Sequence, residues 1–460
     1  MRDLRVLLSR ERPKGVTLLA SASRAGVRAA LLALVACGVS RAVLADWNEI
    51  QTQRAKEATK WAYRADAIAA LYSSNDAWFG ASESFLGADV DSWADVGLDA
   101  GVSFETKLGS GTLFSELSAV YSRTGGDDDA SGSTIGLTDT SGFTLELAHV
   151  GWKAADLFER MENDTLSITV GRQNYNIGSG LVINDGGADG GEHGGWYLGL
   201  RTAFSDALVV SLDSDRWLVE AFTLKNRPRQ GGTQGEVYGA NIEYKLDVRT
   251  RVGGTFMQAD SNVPGDAKLD VFSARAEWKA LEKPGEGAFG LAGEYVDQSS
   301  SQISAAGYWL EISLNNSYMP VASYRYAHFD GDDPATAKDE RFREIAYGST
   351  DWGAWYQGEI TGQYALGLGN LVSHQLRFTG EAETTLNLLY YKFRLDEPAS
   401  FGVTSKDWGD EVDVVLDWEA GSHVVVTGVI GVLFPGAAAE QYAGGGDNWI
   451  HAMAYVKFSF

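Results

Sequence analysis

Cysteine is almost missing from this sequence: Cys37 is the single one in 460 residues. No intrachain disulfide and no Cys-x-x-Cys metal site can therefore form. Positive charge is scarce too, with 38 basic residues against 62 acidic ones, a formal net charge of −24 and a pI near 4.6. That balance lacks the basic footprint a nucleic-acid partner requires. No uninterrupted apolar run reaches 18 residues, so a helical membrane span is not expected. Neither Gly-x-Ser-x-Gly nor His-Glu-x-x-His occurs, and the six histidines have no nucleophile or acid motif around them, so the sequence does not read as an enzyme. Proline is rare, 8 residues, beside 54 glycines and 52 aromatics, and mean hydropathy is only −0.17. A soluble β protein and an outer-membrane barrel both fit these numbers.

The two ends decide between them. Residues 1–45 run from a basic stretch (Arg2, Arg5, Arg10, Arg12, Lys14, Arg24, Arg28) through an apolar one (Ala29–Val39) to Ala42-Val43-Leu44-Ala45. This order is that of a secretory signal peptide cleaved after Ala45. Leu34-Val35-Ala36-Cys37 offers a rival, a lipobox with Cys37 lipidated. Cleavage after Ala45 leaves 30 basic and 60 acidic residues and no cysteine. At the other end Phe460, Phe458, Val456, Ala454, Ala452 and Ile450 alternate with Ser459, Lys457, Tyr455, Met453 and His451. A period of two over eleven residues is a strand with one apolar face. A terminal phenylalanine on such a strand resembles the signal read by the outer-membrane barrel assembly machinery, which makes that machinery, the lipid bilayer and its lipopolysaccharide expected partners.

Between the ends the same alternation recurs, as a barrel spanning a membrane requires. Val412, Val414, Leu416 and Trp418 alternate with Glu411, Asp413 and Asp417. Phe272, Ala274, Ala276 and Trp278 alternate with Ser273, Arg275 and Glu277, and Leu310, Ile312 and Leu314 with Glu311 and Ser313. The stretch from Gln357 reads as another strand, with Ile360 and Tyr364 outside and Glu359, Thr361 and Gln363 inside. Counting from Ala94 to Phe460 gives 18 or 19 strands, and the even number required of a bacterial barrel makes it 18. Short turns are expected at 109–111, 205–206, 380–381 and 420–422. Long connections are expected near 124–140, 174–195, 330–354, 396–409 and 435–447. This register puts 330–354 and 435–447 at opposite ends of the barrel. Residues 54–71 carry Ala58, Trp61, Ala65, Ile68 and Leu71 at helical spacing, so a short amphipathic helix is expected within a 46–90 segment, before a barrel of residues 91–460.

Several blocks carry a family resemblance. They are Gly171-Arg172-Gln173, the run 195–204 (GWYLGLRTAF), the run 355–362 (WYQGEITG), Asn370-Leu371, Trp408-Gly409 before the 411–418 strand, and 431–436 (GVLFPG). Together, over Ser92–Phe460, they resemble the alginate export family of Gram-negative outer-membrane porins. The resemblance implies a monomeric 18-stranded barrel whose arginine-lined lumen passes a linear acidic polysaccharide by diffusion, gated by long loops. It requires no cofactor.

An acidic solute needs inward cations, and period-two parity puts Arg201, Arg275, Arg325, Arg377, Lys392, Arg394 and Lys457 inside, with Arg172 at a strand end. The same parity puts Glu116, Glu220, Glu243, Glu277, Glu311, Glu359, Glu411, Asp413 and Asp417 inside. So many carboxylates keep a general or cation-preferring porin for small hydrophilic solutes open as the alternative. Asp185, Asp189 and Glu192, with the tracts at 127–129 and 330–333, present oxygen ligands on glycine-rich loops, which suits Ca²⁺.

Overall fold

The computed structural model describes residues 59–460, apart from 89, 128, 133–138, 155–165, 185, 188–192, 196, 199, 228–234, 261–267, 281–287, 317–318, 349–356 and 382–383. The signal peptide expected at 1–45 and the Ca²⁺ ligands expected at Asp185, Asp189 and Glu192 lie outside the described residues.

Period-two patterning yields 18 strands. The first six are β1 (Thr59–Asn75), β2 (Ser92–Leu108), β3 (Gly111–Gly126), β4 (Ser141–Ala154), β5 (Leu166–Gln173) and β6 (Phe204–Asp213). Next come β7 (Trp217–Lys225), β8 (Glu236–Lys245), β9 (Thr250–Asp260), β10 (Lys268–Lys279), β11 (Ala288–Ser299) and β12 (Ser304–Asn316). The last are β13 (Met319–Phe329), β14 (Leu371–Glu381), β15 (Thr384–Leu395), β16 (Asp407–Gly421), β17 (Val424–Pro435) and β18 (Trp449–Ser459). Every strand pairs antiparallel with its sequence neighbours, and β1 pairs with both β2 and β18, so the sheet closes. Closure leaves no unpaired edge, which is the condition for a sheet to cross a bilayer.

Polarity is inverted relative to a soluble protein. Phe143 is 74% exposed while Glu411 and Asp413 are 0% exposed. The outer face carries Leu310, Ile312, Leu376, Leu388, Leu416 and Ile430, all exposed, and the core lies inside the barrel. The aromatic pairs Trp61–Phe104, Trp217–Tyr244 and Trp278–Phe289 ring one end of the outer face, as girdles at a membrane interface do. The closed sheet with this apolar outer belt has the build of a barrel that crosses a membrane.

Two expected elements change identity, and the changes offset each other in the count. The helix expected over 54–71 is strand from Thr59 onward. Trp61, Tyr63, Ala65, Ala67, Ala69 and Leu71 face out; Arg64, Asp66, Ile68, Ala70 and Tyr72 face in, opposite the β2 residues Gly101, Asp99, Gly97, Asp95 and Trp93. The upper inward residues are apolar because they meet a loop rather than water, which erases the alternation. The barrel thus begins inside the expected 46–90 segment, whose remaining described part holds α1 (Ala77–Gly80) and α2 (Ser82–Leu86). Conversely, the strand expected from Gln357 is a π-helix, Gly358–Ala365, inside the barrel. Removing that false strand brings the connections 330–370 and 436–448 to the same end. The long connections 174–203 and 396–406 join them there, while 109–110, 246–249 and 422–423 close the other end. Long connections mark the extracellular side. Ser205-Asp206, expected as a turn, lies within β6.

Candidate functional site

The lumen is divided into two unlike walls. On the wall formed by β16, β17, β18, β1 and β2, carboxylates point inward but meet backbone rather than water. Glu411 accepts the N–H of Ile360 at 2.7 Å and of Thr361 at 2.9 Å, and the Thr361 hydroxyl at 2.7 Å. Asp413 accepts the Glu359 N–H at 3.0 Å. These amides belong to the first turn of the π-helix, where backbone donors have no helical partner and favour a negative charge. Gly358 makes the approach possible: its φ is +85°, and a Cβ there would lie 2.5 Å from Glu411 Oε1. Burial, then the charge of Glu411, holds the Glu359 carboxyl well above the usual carboxylate range. The same burial that raises it favours the uncharged form of Glu359, which eases the packing of three carboxyl groups at one site. At the last turn Tyr364 Oη meets His451 Nε2 at 3.1 Å, and His451 Nδ1 meets Ser74 Oγ at 2.8 Å.

The 174–203 connection folds into the lumen from beside this helix. Asp95 takes the Thr124 hydroxyl at 2.5 Å, and Thr124 Oγ1 accepts the Gly195 N–H at 2.6 Å. Glu146 accepts the N–H groups of Thr202 and Ala203 at 2.9 and 2.8 Å. Leu198 and Leu200 reach Gly97 and Ile68; a Cβ on Gly97 would lie 2.0 Å from Leu200 Cδ1. The Tyr197 and Tyr364 rings, 5.1 Å apart, join this connection to the π-helix. Between them and the β1–β18 wall remains a crevice of about 320 Å³ that also touches Tyr455 and Lys457. Above it, α1 and α3 (Ala437–Ala443) pack Trp78 and Phe79 against Trp408, Tyr442 and Trp449.

The opposite wall, β8 to β14, is open. Its cavity of about 660 Å³ is lined by Arg251, Arg275, Arg325 and Arg377, with Glu243, Glu294 and Glu311 among them. Arg275 Nη2 binds Glu243 at 2.8 Å, and Arg251 lies 3.9 Å from the same carboxylate. Arg325 binds Glu311, with Arg377 3.8 Å from its other oxygen. The Arg325 guanidinium lies over the Trp309 ring, 5.2 Å from its centroid. Glu294 accepts the hydroxyls of Ser179 and Ser273 at 2.7 and 2.6 Å. Arg275 and Arg325 are thus each held by a carboxylate, while Arg251 and Arg377 stand at longer range from the same two acids.

The structure gathers only some of the expected substrate-path residues. Arg275 and Arg377 line the open wall, Arg325 borders it from a buried position at 3% exposure, and Lys457 faces the lumen 3.9 Å from Asp66. Arg201 lies in the 174–203 connection, 1% exposed, and donates to Ser122 Oγ and the Gly194 carbonyl. Its place is inside the folded loop. Three expectations are corrected. Arg172 pairs with Ala148 in the outward register and donates to the Leu145 carbonyl at 3.2 Å. Lys392 and Arg394 are also on the outer face, two and four residues beyond the exposed Tyr390; Lys392 binds Asp407 and Asp410 at 2.7 and 2.8 Å. In β15 the apolar residues that face inward, Leu389, Tyr391, Phe393 and Leu395, are buried under loops. An apolar face there does not mean a lipid face.

Two lumen arginines escaped sequence reading. Arg64, hidden by the helical reading of β1, binds Glu116 at 2.9 Å, Asp99, and Ser118 Oγ at 3.0 Å. Arg251 opens β9, where Gly253 and Gly254 blur the alternation. The inward carboxylates are likewise engaged: Glu220 by Tyr175 and Asn241, Asp417 by Thr427, and Glu277 by Lys279.

No family model matches the chain, and no curated protein does, so the resemblance to the alginate export family finds no support there. Solved structures do match. Pseudomonas aeruginosa OpdK, solved with vanillate, is 12% identical over 86% of this chain and 98% of its own, with a TM-score of 0.57. Pseudomonas aeruginosa OccK2 (OpdF) is 12% identical over 87% of this chain and 97% of its own, at 0.58. Acinetobacter baumannii OccAB4 is 10% identical over 86% and 97%, at 0.57. The chain therefore shares its closed 18-stranded barrel with porins of the Occ type.

Proposed function

We propose that this barrel is a passive outer-membrane porin for small hydrophilic solutes, and that it favours those carrying a carboxylate. The observation that carries the reading is the arginine wall: Arg251, Arg275, Arg325 and Arg377 around one cavity of about 660 Å³. A guanidinium offers two parallel N–H donors to a carboxylate, and one already braced by a neighbour loses little freedom on binding. Glu243 and Glu311 between the arginines keep the wall from becoming an anion trap, so a solute can leave as well as enter. The vanillate of OpdK is a small aromatic carboxylate, and the similar barrel supports the same solute class here.

Export of an acidic polysaccharide, the sequence reading, is the weaker one. A polymer needs a continuous wide lumen, and here the π-helix and Leu198 and Leu200 fold into it. Proteoliposome swelling tests the proposal. A small aromatic monocarboxylate should enter about tenfold faster than a neutral sugar of similar size, given the focusing expected of a charged cleft. Arg275→Gln with Arg325→Gln should erase that advantage. Equal entry of both solutes into wild-type vesicles would overturn the carboxylate preference, and no entry of either would overturn the channel.

A further inference from the structure

Outside the lumen, at the extracellular rim, three side chains converge with no role in the channel just described. His328 is the penultimate residue of β13, Asp330 the first of the 330–370 connection, and Asp396 the first residue after β15. His328 Nε2 lies 3.2 Å from Asp330 Oδ1 and 3.8 Å from Asp396 Oδ1, and ligand atoms from all three lie within 4.8 Å of one another. We infer that His328, Asp330 and Asp396 form a binding site for a divalent transition ion of the Zn²⁺ class.

The geometry suits such an ion. Ligands about 2.0–2.2 Å from a tetrahedral Zn²⁺ stand roughly 3.4 Å from each other, close to the 3.2 and 3.8 Å found here. One imidazole with two carboxylates favours Zn²⁺ or Co²⁺ over Ca²⁺ and Mg²⁺, which take oxygen ligands alone. The surroundings aim the donors. Asp330 Oδ2 accepts the Ala306 N–H at 2.6 Å and Asp396 Oδ2 the Gly331 N–H at 3.0 Å, which leaves each Oδ1 turned to the histidine. The imidazole lies parallel to the Tyr308 ring, 5.4 Å away and 6° from coplanar orientation, so its plane is fixed. Second-shell bonds of this kind orient metal ligands generally. Lys406, the nearby ammonium, is turned to Glu397 at 4.0 Å.

The position gives the ion a task. The carbonyl of Asp330 accepts the N–H groups of Phe342 and Asn370, each at 3.0 Å, and the Asn370 carbonyl accepts the Asp396 N–H. The site is thus the neck of the connection that carries the π-helix into the lumen. A bound ion ties both ends of that connection to the next one, 396–406.

The test uses the full barrel, refolded in detergent and stripped with chelator. Titration with Zn²⁺ by calorimetry should show one saturable equivalent, and Co²⁺ should give a visible d–d absorption that Zn²⁺ abolishes. His328→Ala and the isosteric Asp396→Asn should each lose that equivalent, while His374→Ala, on the same outer face, should keep it. Heat-modifiable migration on a gel confirms that each variant is a folded barrel. No saturable equivalent in the wild type would overturn the site and leave a proton-linked His–Asp triad in its place. An equivalent that survives Asp396→Asn would overturn it as well.

Discussion

Both lumen walls carry inward acids, and the two use them in opposite ways. On the β16–β2 wall Glu411, Asp413 and Asp95 point inward and are fully buried, because loop amides and hydroxyls cover them. On the β8–β14 wall Glu243 and Glu311 point inward and brace arginines that border open space. Strand parity assigns all five to the lumen, yet only the second pair borders an open cavity. A carboxylate count over the whole lumen therefore overstates the negative field that a passing anion meets. Depth in the fold decides, not parity.

That contrast can be broken from either side. The largest effect is expected at Glu411, which fastens two amides and a hydroxyl of the π-helix. Glu411→Ala strands those buried donors and should cost about 3–5 kcal/mol of loop docking. Single-channel conductance should rise and fluctuate as the helix leaves the lumen; an unchanged, quiet conductance would show that the helix is held otherwise. Next is Gly97→Val, where no space exists beside Leu200 and Ile68. Overpacking there should cost about 1–3 kcal/mol, seen as earlier proteolysis in the 174–203 connection with the barrel intact. Protection equal to wild type would mean that Leu198 and Leu200 do not dock on β2.

A smaller, pH-dependent effect belongs to Glu359. Its folded-state pKa is raised by burial and by Glu411, so the docked helix binds a proton that the released helix gives up near the ordinary carboxylate range. Docking is then fully stable only below that ordinary range, and stability falls as pH rises toward the raised value. Conductance should climb with pH in the wild type and climb less in Glu359→Gln; equal slopes would remove Glu359 from the account.

Much of the fold was legible because a bilayer imposes one rule on every strand. The alternation at 270–278, 310–314 and 411–418 follows from apolar lipid on one side and polar lumen on the other. It failed where that premise fails. In β1 and β15 the inner face meets folded loops, so Ile68, Tyr72, Leu389 and Phe393 are apolar inside as well. β1 then passed for a helix, and Lys392 and Arg394 were assigned to the wrong face. In 357–364 a helix inside the barrel happened to alternate. Arg275, Arg325 and Arg377 were assigned to the inner face correctly because they lie in strands whose alternation is intact. Arg201 is a loop residue whose partners, Ser122 and Gly194, no spacing in the sequence reveals.

The most direct test is the reversal potential of the barrel in a planar bilayer under a KCl gradient. The account predicts anion preference in the wild type, lost in Arg275→Gln with Arg325→Gln and untouched in Lys392→Ala, whose side chain is outside the lumen. Cation preference that neither substitution alters would contradict it, because the arginine wall would then not be the path.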